Sequence, residues 1–278
     1  ALARLQSWQT IDPTLPDDQL PYRRLPQLQL SGDPELLGPV RGLWLSDVTA
    51  FDRSDKDTSN NPTGARVHLA PGLAVRMEES WGYVEPQARL YHNRYQLDDA
   101  ETSASDATLS TWGASVDSGL FLERETNLFG RGYTQTLEPR LFINKLAYEQ
   151  QDQLPNFDSG ELTFSYNTLF RQNRFIGYDR FGDEEKASLG LTSRFLRNAD
   201  GREQLRLRLG QGFYRGERKV QLDGEPPDDA DQTPMVADMR WNFGHDWYLY
   251  TEGQWDTHAN ERQRSSVRLG YTDRERRG

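Results

Sequence analysis

The chain has 278 residues, a formal net charge of −10 and no cysteine. That balance argues against a nucleic-acid binder, which carries a basic patch, and zero cysteine excludes disulfides and thiolate metal sites. No run of about 18 apolar residues is available for a membrane-spanning helix. The mean hydropathy of −0.86 still fits a wide barrel, in which only alternate residues meet lipid. The length allows one large all-β unit or two modest domains. No export leader opens the chain at Ala1, and ALARLQSWQT already has the look of a strand in progress, as expected of an internal segment.

In chain order, residues 1–10 alternate loosely and IDPTLPDDQLP is a turn-rich break. Arg23 to Leu30 and Val40 to Phe51 are strand candidates. The polar loop from Asp52 to Gly64 holds Asp52, Asp55 and Asp57, but not at calcium-loop spacing, so a solvated loop is expected. Ala65 to Arg76 and Tyr83 to Tyr95 predict a hairpin around Glu78–Gly82; Asp98 to Thr108 predicts an exposed loop. Leu109 to Arg124 and Gly132 to Ile143 form the next pair.

From Glu161 the pattern predicts a strand, with Leu162, Phe164, Tyr166, Thr168 and Phe170 on one face and Thr163, Ser165, Asn167 and Arg171 on the other. Alternation resumes at Ala187, where Ala187, Leu189, Leu191, Ser193 and Phe195 oppose Ser188, Gly190, Thr192 and Arg194. Residues 198–202 (NADGR) make a tight turn. Then Leu205, Leu207, Leu209 and Phe213 oppose Arg206, Arg208, Gly210 and Gly212. After the polar loop Lys219 to Thr233, Met235, Ala237, Met239, Trp241 and Phe243 oppose Val236, Asp238, Arg240 and Asn242. A short turn at residues 244–246 leads to Trp247–Asp256, and Arg262–Thr272 closes the series.

These make roughly 13 strand candidates, most of about 9–12 residues, closer to tilted membrane strands than to the shorter strands of soluble sandwiches. Trp241, Phe243, Trp247, Tyr248, Trp255 and Tyr271 lie toward strand ends, as an interfacial girdle requires; a soluble aromatic core is the plainer alternative. Pro26, Pro71, Pro86 and Pro139 each precede an alternating segment. Because proline donates no ladder bond, they are expected at bulges or strand starts that bend the wall, against the alternative of scattered turn prolines.

Little here points to chemistry. His68, His92, His245 and His258 show no paired spacing, and Ser115, Ser165 and Ser188 have no sequence-level base. Neither an enzyme nor a cofactor site is expected. The loop Arg171–Asp183, with Asn173, Arg174, Asp179, Arg180 and Gly182, combines guanidinium forks suited to phosphate with acids that suit internal pairing. The second reading, with Arg171, Arg174 and Arg180 meeting Asp179, Asp183, Glu184 and Glu185, is preferred. Arg194, Arg206, Arg208, Arg240 and Arg268 cannot face lipid at the midplane, where each would cost about 2–4 kcal/mol. In a barrel they line the lumen, with Asp117, Asp238, Glu252 and Asp256 on similar faces.

TQTLEPRLF, the LPxFDS element and LFRxNRFxGxDRxGD…LxLGLTSRF resemble the barrel domain of the LptD family, and weaker similarity extends over nearly the whole chain. The resemblance implies an antiparallel transmembrane β-barrel of about 26 strands, of which this chain is an incomplete, mid-barrel segment with the gate strands outside it. It further implies insertion of lipopolysaccharide into the outer leaflet of the cell outer membrane through a lumen and lateral gate. The implied partners are lipopolysaccharide, an LptE-type lipoprotein plug and, through a jelly-roll domain, an LptA-type periplasmic bridge. Signal peptide, jelly-roll and the family's cysteines are not in the sequence. A passive porin-type channel and a secreted carbohydrate-binding β-protein remain as alternatives.

Overall fold

The computed structural model describes residues 1–9, 11, 20–53, 62–98, 106–128, 130–222, 224–244, 246–257 and 260–272. Asp55 and Asp57, most of the IDPTLPDDQLP break, and His245 and His258 lie outside the described residues.

The strands are β1 (Leu2–Gln6), β2 (Arg23–Gly32), β3 (Glu35–Leu37), β4 (Val40–Asp52), β5 (Gly64–Leu69), β6 (Gly72–Val75), β7 (Met77–Glu79), β8 (Gly82–Leu97) and β9 (Asp106–Leu120). They continue as β10 (Leu122–Leu128), β11 (Arg131–Leu146), β12 (Gly160–Glu161), β13 (Phe175–Ile176), β14 (Glu184–Arg197), β15 (Glu203–Tyr214), β16 (Met235–Phe243), β17 (Trp247–Asp256) and β18 (Glu261–Tyr271). One antiparallel sheet runs in the order β1-β2-β4-β5-β8-β9-β11-β14-β15-β16-β17-β18, so each wall strand pairs with its sequence neighbour. The short strands β3, β6, β7 and β10 pair onto β4, β8 and β11 as continuations of interrupted strands, and β12 with β13 forms a separate small ladder. β1 and β18 each pair on one flank only, so the described sheet is open.

Alternation gives the wall two chemically different faces. On β14 and β15, Leu189, Leu191, Leu207, Leu209 and Phe213 are exposed, while Ser188, Thr192, Gly210 and Gly212 are buried. This inverts a water-soluble sheet, in which the leucines would be inside. The exposed set continues through Val48, Val67, Leu90, Leu141, Trp241 and Val267 on strands from β4 to β18. The concave face is covered by residues 147–183, which touch strands from β2 to β17: Gln29 Nε2 donates to Tyr178 Oη at 2.8 Å, and Gln254 Nε2 donates to the Phe164 carbonyl at 2.8 Å.

That covering segment corrects the strand expected at Glu161–Phe170. Only Gly160–Glu161 is extended and paired; Tyr166–Phe170 is a 3₁₀ turn with Thr168 Oγ1 accepting from Ser165 N at 2.9 Å. Tyr166 and Leu169 are three residues apart and both buried, a helical spacing that the period-two pattern of aromatics concealed. Glycines on the wall make the room. Gly190 and Gly210 are direct cross-strand partners; a Cβ on Gly190 would lie 2.5 Å from Phe170 Cζ, and one on Gly210 2.7 Å from Leu169 Cδ1.

Pro26, Pro71, Pro86 and Pro139 each coincide with an interruption of the ladder. Pro26 sits where β2 shifts register between Arg24 and Gln27, and Pro71 separates β5 from β6. Pro86 and Pro139 lie inside β8 and β11, paired with Val116 and Leu191 on one flank. On their other flank they face the gaps between β6 and β7 and between β9 and β10, where the adjoining strand is broken.

Candidate functional site

The concave face has two parts: a region beneath the packed segment 147–183, and a region on β14–β18 that borders a cavity. The segment is anchored at its centre by Arg66 of β5. Arg66 Nη1 donates to Asp158 Oδ1 at 2.7 Å and to Asp179 Oδ1 at 2.6 Å, and Nη2 donates to Asp158 Oδ2 at 2.9 Å. Asp47 Oδ1 is 3.7 Å away, and Arg24 Nη2 reaches Asp158 at 3.3 Å. Arg66, Asp47 and Asp179 are fully buried. Such a cluster persists only because hydrogen bonds replace the lost hydration. Asp179 accepts also from Tyr95 Oη at 3.1 Å and from the Phe157 and Asp158 amides at 2.8 Å each.

Desolvation pushes the Asp158 carboxyl up, but the Arg66 guanidinium and the Tyr178 amide outweigh it and hold it down at about 2. Asp179, more deeply buried, is pushed up by desolvation against the pull of the same guanidinium. Aromatic packing closes the anchor. Phe157 stacks on Phe51 at 4.4 Å, and Tyr178 stacks on His68 at 4.4 Å. His68 Nδ1 pairs with Asn93 Oδ1 at 2.7 Å, and Asn93 Nδ2 donates to the Tyr178 carbonyl at 2.5 Å.

The loop Arg171–Asp183 turns on backbone contacts, which corrects the expected self-pairing of its charges. Asn173 Oδ1 accepts from Gly182 N at 3.0 Å, and its Nδ2 donates to the Arg180 carbonyl at 2.9 Å. Arg180 donates to the Pro155 and Leu154 carbonyls at 3.0 Å each, and Arg174 to the Asp183 and Val220 carbonyls. The Arg171 carbonyl accepts from Lys186 Nζ at 3.2 Å. Asp183 accepts from the Lys219 and Val220 amides at 3.1 and 2.8 Å, so the next long loop locks over the segment. Glu184 pairs with Lys186 at 2.8 Å and Glu185 with Lys145 at 2.5 Å. Gly177, at φ +70°, brings its backbone against the Asp158 carbonyl, where a side chain would clash.

By strand register Arg194, Arg206, Arg208, Arg240, Glu252 and Arg268 share one face of β14–β18, opposite the exposed leucines. Arg208 is no longer open to a ligand: it pairs with Asp238 at 2.9 Å, donates to Asn167 at 2.8 Å and lies 4.6 Å over the Tyr166 ring. Arg194 meets Glu138 and Glu203 at 2.9 Å each. Glu252 accepts from Tyr250 Oη at 2.8 Å. Tyr248, grouped by sequence with the girdle, is instead beneath Arg240, 4.3 Å from its guanidinium. Phe243, Trp247 and Tyr271 form one cross-strand row at the short-turn end, and Trp241 packs on Phe243 at 4.9 Å.

The sequence reading missed Arg66, Asp47 and Asp158. A signal was present: Arg66 and His68 share one face of a strand whose other face carries Val67 and Leu69, and Asp158 lies within the LPxFDS element.

A wall with an apolar outer face, a polar concave face and a chain segment packed into the concavity belongs to the class of transmembrane β-barrel walls. The LptD family profile, described as LPS transport system D, matches residues 1–278. The chain is 67% identical over 273 residues to an LPS-assembly protein LptD of Alcanivorax borkumensis, covering 97% of this chain and 36% of that protein. It is 34% identical to one of Hahella chejuensis, covering 99% and 35%, and 37% identical to one of Alkalilimnicola ehrlichii, covering 98% and 36%. This chain is a member of the LptD family. It spans about a third of the length of these relatives, between 35% and 36%.

Proposed function

We propose that the chain is a wall segment of an outer-membrane barrel that inserts lipopolysaccharide into the outer leaflet, with sugars crossing the lumen and lipid leaving by a lateral opening. The observation that carries this reading is the two-faced wall in a member of the LptD family. Its outer face exposes Leu189, Leu191, Leu207, Leu209, Trp241 and Val267, a contiguous apolar area that a soluble carbohydrate-binding protein would not leave bare. The concave face carries paired charges and the buried anchor of Arg66, the chemistry of a lumen lining. Segment 147–183 fills part of that lumen, which favours a guided route over a passive porin-type channel. Closing the barrel to about 26 strands, an LptE-type lipoprotein in the lumen, and delivery through a jelly-roll by an LptA-type bridge belong to the same proposal.

The test is photo-crosslinking in the complete protein in its own membrane. A crosslinker at Gln87, on the concave face beside Ser115, is expected to capture lipopolysaccharide, and one at Leu191 is expected to capture phospholipid. A folded protein that gives no lipopolysaccharide adduct anywhere on the concave face, while Leu191 labels normally, would return the passive channel.

A further inference from the structure

The strand register brings four arginines into one row. Arg194 is paired with Arg206, Arg206 with Arg240, Arg240 with Tyr250, and Tyr250 with Arg268, across β14 to β18. Residues directly opposite have Cβ atoms about 4.5–5.5 Å apart, and like charges so placed repel. Such a row destabilises the sheet unless something neutralises it.

At the β14 end the protein supplies that neutralisation, because Glu138 and Glu203 hold Arg194. Beyond it the supply stops. Arg206 touches only the far side of Glu203, at 3.9 Å, and its buried Nε has no partner. Arg240 Nε donates to the neutral amide of Asn242 at 3.2 Å, and among the described residues no carboxylate pairs with Arg240 or Arg268. Of the neighbouring acids, Asp238 is ion-paired with Arg208 at 2.9 Å, and Glu252 accepts from the neutral donors Tyr250 Oη at 2.8 Å and Gln254 Nε2 at 3.2 Å. Elsewhere on the concave face Arg66, Arg140 and Arg208 each meet a carboxylate. Arg4, Arg89 and Arg174, like Arg240, hydrogen-bond to neutral acceptors; what sets Arg206 and Arg240 apart is that they stand directly opposite one another on adjacent strands. A cavity of about 390 Å³ opens beside Arg240, its charged lining being Arg240, Arg197 and Arg202 with Glu203 and Asp246.

We propose that Arg206, Arg240 and Arg268 form an anion-binding row for the phosphate groups of a glycolipid headgroup. This rests on the reading that the concave face lines a lipopolysaccharide path. Guanidinium forks on adjacent strands converge on one multi-oxygen anion, and a phosphate monoester offers three acceptor oxygens and close to two charges, enough to bridge neighbouring arginines. A row reaching from β15 to β18, with Tyr250 of β17 between Arg240 and Arg268, lets the anion pass from one fork to the next while staying neutralised. A single carboxylate from a protein partner has two oxygens and one charge, which leaves the row in surplus.

The experiment uses the complete protein with its partners in its own membrane, with a photo-crosslinker at Tyr250. Purified lipopolysaccharide is supplied either intact or after enzymatic removal of its phosphates. Intact glycolipid is expected to give adducts, and dephosphorylated glycolipid or the R240Q and R268Q proteins are expected to give about tenfold less, the effect of losing one charge-assisted contact. R240K, which keeps the charge, is expected to lose less than R240Q. Because the two lipids are compared on the unaltered protein, a variant that misfolds does not decide the outcome. Equal adducts with both lipids overturn the proposal, as does capture of a protein partner at Tyr250 in place of lipid. If Gln87 still captures lipopolysaccharide in that case, the transport reading stands and only the anion row falls; if neither position does, the transport reading falls as well.

Discussion

Replacing Arg66 with methionine removes the cation that holds segment 147–183 to the wall and leaves Asp47, Asp158 and Asp179 buried together. Asp158 and Asp179 each lie within 2.7 Å of its guanidinium, and Arg66 and Asp179 are fully buried. Removing one partner of a buried, hydrogen-bonded ion pair costs about 3–5 kcal/mol. The cost falls on docking of the segment, because the wall keeps its own ladder at β5. The assay is hydrogen exchange on the complete protein, read at the Phe157 and Asp158 amides that donate to Asp179 at 2.8 Å. At about 1.4 kcal/mol per tenfold, their exchange is expected to accelerate by at least two orders of magnitude, roughly, in R66M. Lys145→Met, which breaks the exposed pair with Glu185 at 2.5 Å, is expected to change exchange by under about 1 kcal/mol. Unchanged exchange at 157 and 158 in R66M, or an equal response in K145M, would refute the reasoning.

Gly210→Leu drives a side chain into the space of Leu169, since even a Cβ there lies 2.7 Å from its Cδ1; overpacking of about 1–3 kcal/mol should expose Tyr166–Phe170 to limited proteolysis while the strands stay protected. Gly177→Ala combines a left-handed φ of +70° with a clash against the Asp158 carbonyl, and should loosen the same segment by about 1–3 kcal/mol in hydrogen exchange. Leu207→Arg puts a charge on the outer face, where Leu207 is 40% exposed, and should lower unfolding stability in bilayers by about 2–4 kcal/mol, with Leu207→Phe near neutral. The pH dependence has a definite sign. Asp158 is held at about 2, below its unfolded value, so its contribution is present above the ordinary carboxylate range and is lost as pH falls through 2. Asp179 is raised, which offsets part of that contribution near the same range. Exchange protection at 157–158 should therefore hold from neutral pH to about 4 and fail only toward pH 2; failure near pH 6 would point to a different titrating group.

The strands were legible because an outward-greasy wall follows period two with little interference. Leu205, Leu207 and Leu209 alternate with Arg206, Arg208 and Gly210, and the register preserves those faces through β16 and β17. Residues 161–170 misled because Leu162, Phe164 and Tyr166 also alternate, although Tyr166 and Leu169 are buried through a 3₁₀ turn. Only the facing glycines at 190 and 210 show why that turn fits. The charge partners of the Arg171–Asp183 loop were illegible for a different reason. Arg66 and Asp179 are 113 positions apart in sequence, and spacing within the loop carries no trace of a partner on β5. The arginine row was likewise hidden, because it appears only once β14 to β18 are in register.

The two-faced wall is tested most directly by spin labels placed singly along β15, from Gln204 to Phe213, in the complete protein in lipid bilayers. Collision with oxygen reports lipid, and collision with a water-soluble nickel complex reports the lumen. Labels at Leu205, Leu207 and Leu209 are expected to favour oxygen, those at Gln204 and Arg206 to favour nickel, and the one at Gly210, beneath Leu169, to be shielded from both. Equal nickel accessibility at Leu207 and Arg206 would contradict the account, because a wall wet on both faces cannot stand in a membrane.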